Sequence, residues 1–579
     1  MNPPDTPLDR AIRPAKQEAQ RHYGSHPYFT KRAWNVVQEY IKHFTVPGDT
    51  VLDPFGGSGV TAVESLVLKR KAVYVDINPW ACFLAQQTAV APVDIGALQE
   101  AFGQVEDRCR HHIEEIWKQP EKELASTPVR EWYPRKVPLP PNADVRYVEE
   151  LFTPRMLHGL AKLRAAIVEV RNREARDLLL MAFSATLVRI NRTFLSATNR
   201  AESRGGSAVF SIYRYKVAKR TVELPLWPQF AQRFRKLVAA KRETNRLIGG
   251  FYQEDCTAGF HHASATTLDR WLEPESVDYI YTDPPYGAHI AYLDLSTMWT
   301  AWLNMKVNAT ERREEVIEGG SEKRTRGDYE RLLRESIQAM RTVLKPGRWL
   351  SIVFAHRDTS YWEALVSACE DAGFQYSNTV VQPVGVVWSM HKKKNPLRVL
   401  SGELVLNFRK TGVNAKFRRA AATADGLTVV RSSCEAEIIR HIGASTEHLH
   451  HVVVPRLLEE GLLDRFSRQH GDLVPILERH FLFDADTKVW NLARASELVG
   501  QHDENHLVRY YILRYLRRLG AHATTPEGVR EFLQSVLGDG RLPALTTIEA
   551  VLRQVAGTAG HLRWRAPAKT EQTEMVFQD

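Results

Sequence analysis

The chain has 579 residues, 44% of them hydrophobic and 25% charged, with a formal net charge of +10 at pH 7, which is ordinary for globular protein and excludes wholesale disorder. A length of this order predicts about two to four domains. The longest uncharged apolar-rich run, Thr379 to Met390, is too short to span a bilayer, and the first twenty residues place prolines and charges where a signal peptide needs an apolar core.

The five cysteines (Cys82, Cys109, Cys256, Cys369, Cys434) lie far apart with no CxxC pair, so neither a disulfide framework nor a zinc ribbon is expected and no metal site is assigned. The expectation is a reduced, cytoplasmic chain.

In chain order, residues 1–25 read as an N-terminal arm. Residues 26–90 read as the first part of an α/β core. A helix is predicted over Arg32 to Phe44, with Trp34, Val37, Tyr40, Ile41 and Phe44 at helical spacing. Thr50-Val51-Leu52 is a short buried-strand pattern, Thr61 to Lys69 a helix, and Lys71 to Val75 a strand ending in Asp76, which together make a β-α-β unit and predict a parallel sheet.

Residues 91–255 read as a helical insertion: Ala97 to Trp117, Pro154 to Glu169, Arg173 to Arg189 and Gln229 to Ile248. Pro138, Pro140 and Pro141 suggest a linker within it, and the alternating run Ala208 to Tyr215 suggests a hairpin or strand. Between Arg155 and Arg246 stand twenty Lys/Arg against six Asp/Glu, so this block holds more positive charge than the whole chain nets. Such a block attracts a phosphate backbone with steep salt dependence, and Asn191, Asn199, Tyr213 and Tyr215 within it are candidates for duplex contact.

The α/β alternation resumes over 256–412. Val277 to Tyr281 is a buried strand, Trp349 to Ala355 another after the turn Lys345-Pro346-Gly347, and Ser360 to Ala372 a helix ending at Gly373. Ser377 to Trp388 and Gly402 to Arg409 predict a closing antiparallel pair. Residues 413–570 read as a helical C-terminal domain and 571–579 as a polar tail. Within it, Ala436 to Ile442 and a helix from Glu447, capped by Ser445-Thr446, fit either a winged helix or a plain bundle, with the bundle favoured. No nuclease constellation is found.

Two short stretches carry the chemistry. Asp53-Pro54-Phe55-Gly56-Gly57-Ser58-Gly59 lies between a strand and a helix, where glycines allow positive φ and close approach of a ligand to the backbone. The turn lacks the Gly-Lys-Ser/Thr of a phosphate loop and opens on an acid, so it suits a ligand with a cationic group and hydroxyls rather than a triphosphate. Asp76, at the end of the next strand, stands where an acid accepts hydrogen bonds from ribose hydroxyls. Thr282-Asp283-Pro284-Pro285-Tyr286-Gly287 follows a buried strand. Prolines lack N–H donors, so this turn offers acceptors only, the Asp283 carboxylate and the Pro284 carbonyl, and these match the two protons of an exocyclic NH₂. Tyr286 adds a flat face on which a base could stack.

These residues carry a resemblance. Asp53 to Gly59 and Asp283 to Tyr286 resemble motifs I and IV of the S-adenosylmethionine-dependent DNA amino-methyltransferases, the N6-adenine/N4-cytosine class. His26-Pro27-Tyr28-Phe29-Thr30-Lys31 resembles the family's N-terminal motif beside the cofactor's methionine end. The likeness covers roughly 25–86 and 260–410. It implies a Rossmann-like methyltransferase sheet interrupted by the basic insertion and followed by the helical C-terminal domain. It implies S-adenosylmethionine contacts from Asp53, Phe55, Gly56, Gly57, Gly59, Asp76, Ile77, Thr30 and Lys31, and from Ser264-Ala265, where the family often has an acid. Asp283, Pro284, Pro285 and Tyr286 are implied as the catalytic set.

The expected reaction is methyl transfer to the N6 amine of adenine in double-stranded DNA with the target base flipped out, in a restriction-modification or phage-defence setting with any nuclease on a separate subunit. Asp at the first position of the tetrapeptide leans toward adenine over cytosine N4. An RNA amino-methyltransferase and a non-catalytic DNA-binding subunit are the other readings. A cytosine-C5 enzyme is excluded because none of the five cysteines follows a proline. His261 and His262, adjacent on a strand, point to opposite faces and do not make a shared ligand pair.

Overall fold

The computed structural model describes residues 5–16, 21–195, 206–254, 259–288, 290–383, 403–411, 425–520, 522–538, 542–558 and 564–565. Seven strands form one sheet: β1 Thr50–Asp53, β2 Lys71–Asp76, β3 Gly259–His262, β4 Val277–Thr282, β5 Leu344–Phe354, β6 Phe374–Gln382 and β7 Glu403–Lys410, in the order 3-2-1-4-5-7-6. The pairs β3–β2, β2–β1, β1–β4 and β4–β5 are parallel, while β7 runs antiparallel to both β5 and β6.

The order reverses direction between β1 and β4. Such a reversal opens a crevice at the carboxyl ends of the two strands, the usual ligand position in an open α/β sheet. Val51 pairs with Tyr279 and Leu52 with Ile280, so the ends of these strands, Asp53 and Thr282-Asp283, come out side by side. β4 is buried at every position, as a central parallel strand must be.

Around the sheet, α1 Trp34–Phe44 buries Val36, Val37, Tyr40, Ile41 and Phe44, the apolar stripe read in the sequence. α2 Val60–Val67 follows the glycine turn and α3 Pro79–Ala89 follows β2, capped by Asn78, whose side chain accepts from the Trp80 N–H.

Between β2 and β3 come four long helices, α4 Ile95–Lys118, α5 Pro154–Val168, α6 Arg173–Leu187 and α7 Leu226–Glu254. They share one buried cluster with Phe29, Trp80 of α3 and Trp299 of the Thr297–Trp302 helix, so the insertion and the sheet's flank have a common core. α7 starts three residues before the expected Gln229 because Leu226 and Trp227 are themselves buried.

Several expectations are corrected. The run Ala208 to Tyr215 is not a strand: Ala208–Ser211 is a helical turn capped by Ser207, and burial of Ala208, Val209 and Tyr215 accounts for the apolar pattern. The Pro138–Pro141 stretch is not a linker, since Leu139 is buried and its N–H donates to the Arg146 carbonyl. Lys345-Pro346-Gly347 lies inside β5 as a bulge. The register steps from Val277 opposite Leu344 to Tyr279 opposite Trp349, and Gly347 takes φ +73°. β6 begins at Phe374 rather than Ser377, and the expected extension over 384–388 lies outside the described residues.

Asn191 and Tyr215, expected at a DNA surface, are fully buried. Asn191 accepts from the Thr193 N–H and donates to the Leu187 carbonyl, and the Tyr215 hydroxyl donates to the Leu295 carbonyl. Asn199 lies outside the described residues.

The basic block is partly spent inside the fold. Lys241 is buried and donates to the carbonyls of Thr88 and Val90 at 2.9 and 3.0 Å; burial moves its ammonium down to about 7 against the pull of Glu174. Arg155 pairs with Glu223, Lys162 with Glu131 and Arg214 with Asp144. Lys216, Lys219 and Arg220 remain exposed on the loop that leads into α7.

The chain divides into two compact units, the first holding residues 1–355, 364–394 and 403–416, the second 356–363, 395–402 and 417–579. In the second unit α8 Gly426–His441 and α9 Thr446–Glu459 meet at a turn where the Ser445 side chain accepts from the His448 N–H, the expected cap. The plain bundle favoured from sequence is corrected by a hairpin, Phe481–Asp484 with Val489–Leu492, to which Ala444 adds a bridge through Trp490. No helix among the described residues is long and apolar enough to cross a membrane.

Candidate active site

The glycine turn is built by close approach. A Cβ on Gly56 would lie 2.3 Å from the Tyr74 ring, and one on Gly59 would lie 2.6 Å from the Ala85 Cβ of α3. Gly59 also takes φ +81° at the start of α2, a conformation that side chains disfavour. Gly59→Ala is therefore expected to destabilise the protein by about 1–3 kcal/mol, read as a lowered melting temperature. A melting temperature equal to wild type would show that α3 can move away.

Asp53 ends β1 and is 6% exposed. Its carboxylate accepts from the Phe55 N–H at 3.2 Å and from the Thr282 hydroxyl at 2.9 Å, so β4 is tied directly to the glycine turn. Burial pushes its pKa up to about 7 against the pull of the Thr61, Thr282 and Phe55 donors. Asp76 accepts from the Gly57 and Asn78 N–H groups, each at 2.8 Å, and burial raises it to about 6 despite them. Two carboxylates that are costly to charge in the free protein are suited to a ligand that brings a cation and hydroxyl donors.

At the far side of the cleft, Asp283 follows β4. The Tyr286 hydroxyl donates to its Oδ1 at 2.6 Å and the Arg32 Nε donates to its Oδ2 at 2.6 Å. Arg32 also donates through Nη2 to the Tyr286 hydroxyl at 2.7 Å and pairs through Nη1 with Glu403 of β7. Burial raises the Asp283 pKa, Arg32 opposes the rise and Glu403 adds to it. The loop is held from behind by the Tyr329 hydroxyl, which donates to the Pro285 carbonyl at 2.9 Å, and the Tyr286 ring lies edge-on to Phe354.

One cleft, with about 770 Å³ of empty space including its open mouth, joins these parts. Asp53, Phe55, Gly56, Gly57, Asp76 and Ile77 line it from the glycine-turn side, Asp283 and Pro285 from the other, and Thr30, Ser264 and Ala265 close it. Four of the sequence-derived site residues stand outside the lining. Lys31 is turned away, its ammonium donating to the carbonyls of Tyr23 and His26, so it braces the preceding loop rather than facing a ligand. Gly59 packs on α3, and Pro284 and Tyr286 flank the lining residue Pro285 without being part of the lining themselves. Ser264, in the place of the family's acid, caps a short 3₁₀ turn by accepting from the Thr266 N–H.

Tyr28, quoted in the N-terminal motif, lines the cleft, as do residues the sequence did not single out: Arg32, Tyr292, Glu314, Glu315 and Val316. Tyr28 stacks on Trp80 with ring centroids 5.4 Å apart, and Glu315, raised by burial to about 7, accepts from the Leu293 N–H. Tyr28 belongs to the His26–Lys31 stretch that resembles the family motif, whereas Arg32 lies just beyond it. Glu315 belongs to a surface-like charged run with no such signal. None of the four described cysteines lines the cleft. The His261 ring packs at a tilt on Trp271, while His262 Nε2 faces the Ile77 carbonyl and the Glu311 carboxylate, so the two do not converge.

The sheet order and a cleft at its reversal point define a Rossmann-like methyltransferase fold. Residues 9–87, which hold the glycine turn and both of its acids, match the family model described as DNA methylase. A curated relative, type II methyltransferase M.MjaII of Methanocaldococcus jannaschii, is 36% identical over 72 residues. That match covers 12% of this chain and 13% of the relative's length. Similar solved structures include TrmN from Thermus thermophilus, 12% identical with 66% of this chain and 49% of that chain covered at a TM-score of 0.25. Geranyl diphosphate methyltransferase in complex with GPP and sinefungin is 7% identical, with 66% and 79% covered and a TM-score of 0.23.

Proposed function

We propose that the protein transfers a methyl group from S-adenosylmethionine to the N6 amine of adenine in double-stranded DNA, in the cytoplasm and in a restriction-modification or phage-defence setting where any nuclease is a separate subunit. The observation that carries the proposal is the convergence of the glycine turn and the acceptor loop on one cleft, linked by the Thr282–Asp53 hydrogen bond.

The cleft fits the cofactor. Asp53 would take the methionine ammonium, Asp76 the ribose hydroxyls, and the turn at Gly56 and Gly57 leaves room for close backbone approach. When bound, S-adenosylmethionine supplies a methyl carbon already activated by its sulfonium. The protein's task is then to make a poor nucleophile reactive, because the amine's lone pair is delocalised into the base. The Asp283 carboxylate and the Pro284 carbonyl would accept the two amine protons, draw the nitrogen toward sp³ geometry and aim its lone pair into the cleft. Positioning is the main source of rate in such a site. The base must leave the duplex to reach it, so flipping accompanies binding. Asp283 at the head of the tetrapeptide supports adenine over cytosine.

For the duplex, Lys216, Lys219 and Arg220 are the best-placed cations. They are exposed, and the segment before them is anchored beside the cleft by Phe210, which packs on Phe29 at 5.1 Å and on Trp299 at 5.4 Å. Replacing all three with alanine is expected to weaken binding evenly across DNA sequences. It should also flatten the dependence of log K on log salt by up to about 0.9 for each lost phosphate contact. An unchanged salt slope would place the duplex elsewhere.

The test of the whole reading is transfer of a tritiated methyl group to DNA and to tRNA, with product digestion to identify the base. N6-methyladenine in DNA is expected. N4-methylcytosine would correct the base, and label in tRNA alone would overturn the substrate.

A further inference from the structure

Asp283 is the acceptor on which the proposed chemistry turns, yet in the free protein both of its oxygens already have donors. Oδ1 takes the Tyr286 hydroxyl and Oδ2 takes the Arg32 Nε. The guanidinium is planar and carries only N–H donors, so it satisfies an acceptor-only site in the way a base's NH₂ group would. It is also well shielded, with the side chains of Arg32 and Asp283 only 14% and 18% exposed. The same guanidinium holds a second carboxylate, Glu403, through Nη1, so it has somewhere to remain if it lets go of Asp283.

We infer that Arg32 is a positioning residue, a resident cation that keeps Asp283 ionised and oriented in the empty pocket and is exchanged for the target amine when the base arrives. The inference rests on the amine-methylating reading above and deepens it. A buried carboxylate without a partner takes up a proton, and a protonated Asp283 has lost acceptor capacity and could not receive both an amine proton and the tyrosine hydroxyl. Arg32 stands just before α1, two residues beyond the cleft-lining Thr30, so the segment that would meet the cofactor also carries the exchangeable cation. Charged and titratable groups facing Asp283 come from every side: Arg32 before α1, Glu403 from β7, Asp53 from β1, Tyr281 and Tyr286 from its own strand and loop, and Tyr292 beyond. Of these only Arg32 is a cation.

The exchange makes opposite demands on two variants. The pH profile of kcat/KM for DNA reports ionisations of the free enzyme, and that of kcat reports those of the bound complex. Arg32→Met should move the acid limb of kcat/KM to higher pH, and Glu403→Gln, which removes the second negative charge facing Asp283, should move it to lower pH. Arg32→Lys should restore most of the wild-type limb. Above the limb, with DNA saturating, kcat of Arg32→Met should stay within about threefold of wild type, because the cation has already left. Cofactor binding measured by calorimetry checks that each variant is folded.

Acid limbs that coincide for the three variants and wild type would overturn the inference, as would a kcat that falls by an order of magnitude or more at every pH in Arg32→Met, which would make Arg32 a partner of the reacting atoms. A wild-type enzyme with no DNA-methylating activity at any pH would overturn the underlying reading and the inference with it.

Discussion

Asp283→Ala is expected to lower the rate of methyl transfer to DNA by about 10²–10³-fold while leaving cofactor affinity close to wild type, as follows when one preorganised hydrogen-bonding group is removed from a reacting centre. Asp283 and Asp76 line the same cleft from opposite sides, and in the proposed reaction Asp283 receives the amine, so the loss should appear in kcat and kcat/KM rather than in the cofactor's dissociation constant. Asp283→Asn tests the charge separately. It keeps the shape, but its amide turns an N–H toward Arg32 or toward the amine, and either is repulsive, so nearly the same loss is expected. Single-turnover methylation with saturating cofactor measures both. Activity within tenfold of wild type in the alanine variant would mean that the acceptor loop is not where the amine binds.

The second large effect belongs to Asp53. Burial holds its pKa at about 7 in the free protein, so a ligand bearing an ammonium must expel a proton to pair with it below that pH. Cofactor affinity should be flat above about pH 7 and fall toward tenfold per pH unit below it, as expected for binding coupled to one proton release. Asp53→Asn should remove that slope and weaken binding at pH 8 by about 30-fold or more, the usual result of truncating one partner of a buried charge pair.

The same ionisation opposes folding of the free protein. Because the folded pKa is raised above the ordinary 3.8, the penalty is absent below that value, grows as pH rises and is complete above about 7. Asp53→Asn without cofactor should therefore melt higher than wild type at pH 8, with the gap closing toward pH 4. Equal melting curves at pH 8 would show that Asp53 is charged without cost.

Much of this site was legible because its parts are local. The glycine turn, the acids at the ends of β1 and β2, and the acceptor loop after β4 are each written in a few consecutive residues at a strand end. The sheet then brings them together through one register, Val51 beside Tyr279. Arg32 was missed because its meaning depends on two distant carboxylates, Asp283 and Glu403, that only the folded sheet brings to it. The misread hairpin at Ala208 has a different cause. Alternation of apolar and polar residues reports burial on one side, and a capped helical turn followed by a buried Tyr215 produces the same pattern over so short a run. Asn191 and Tyr215 were placed at a DNA surface by residue type alone. Their side chains instead satisfy buried backbone groups, a use of polar residues that composition cannot separate from recognition. The basic count of the insertion likewise mixed exposed cations with ones such as Lys241 that hold the interior together.

The helices between β2 and β3 bury Phe29, Trp80 and Trp299 along with their own apolar faces. They are therefore no exchangeable cassette. Grafting in the corresponding stretch of another protein would strip cover from these three large aromatic rings. New target preferences in this protein should be sought by altering exposed side chains on the existing scaffold, one position at a time.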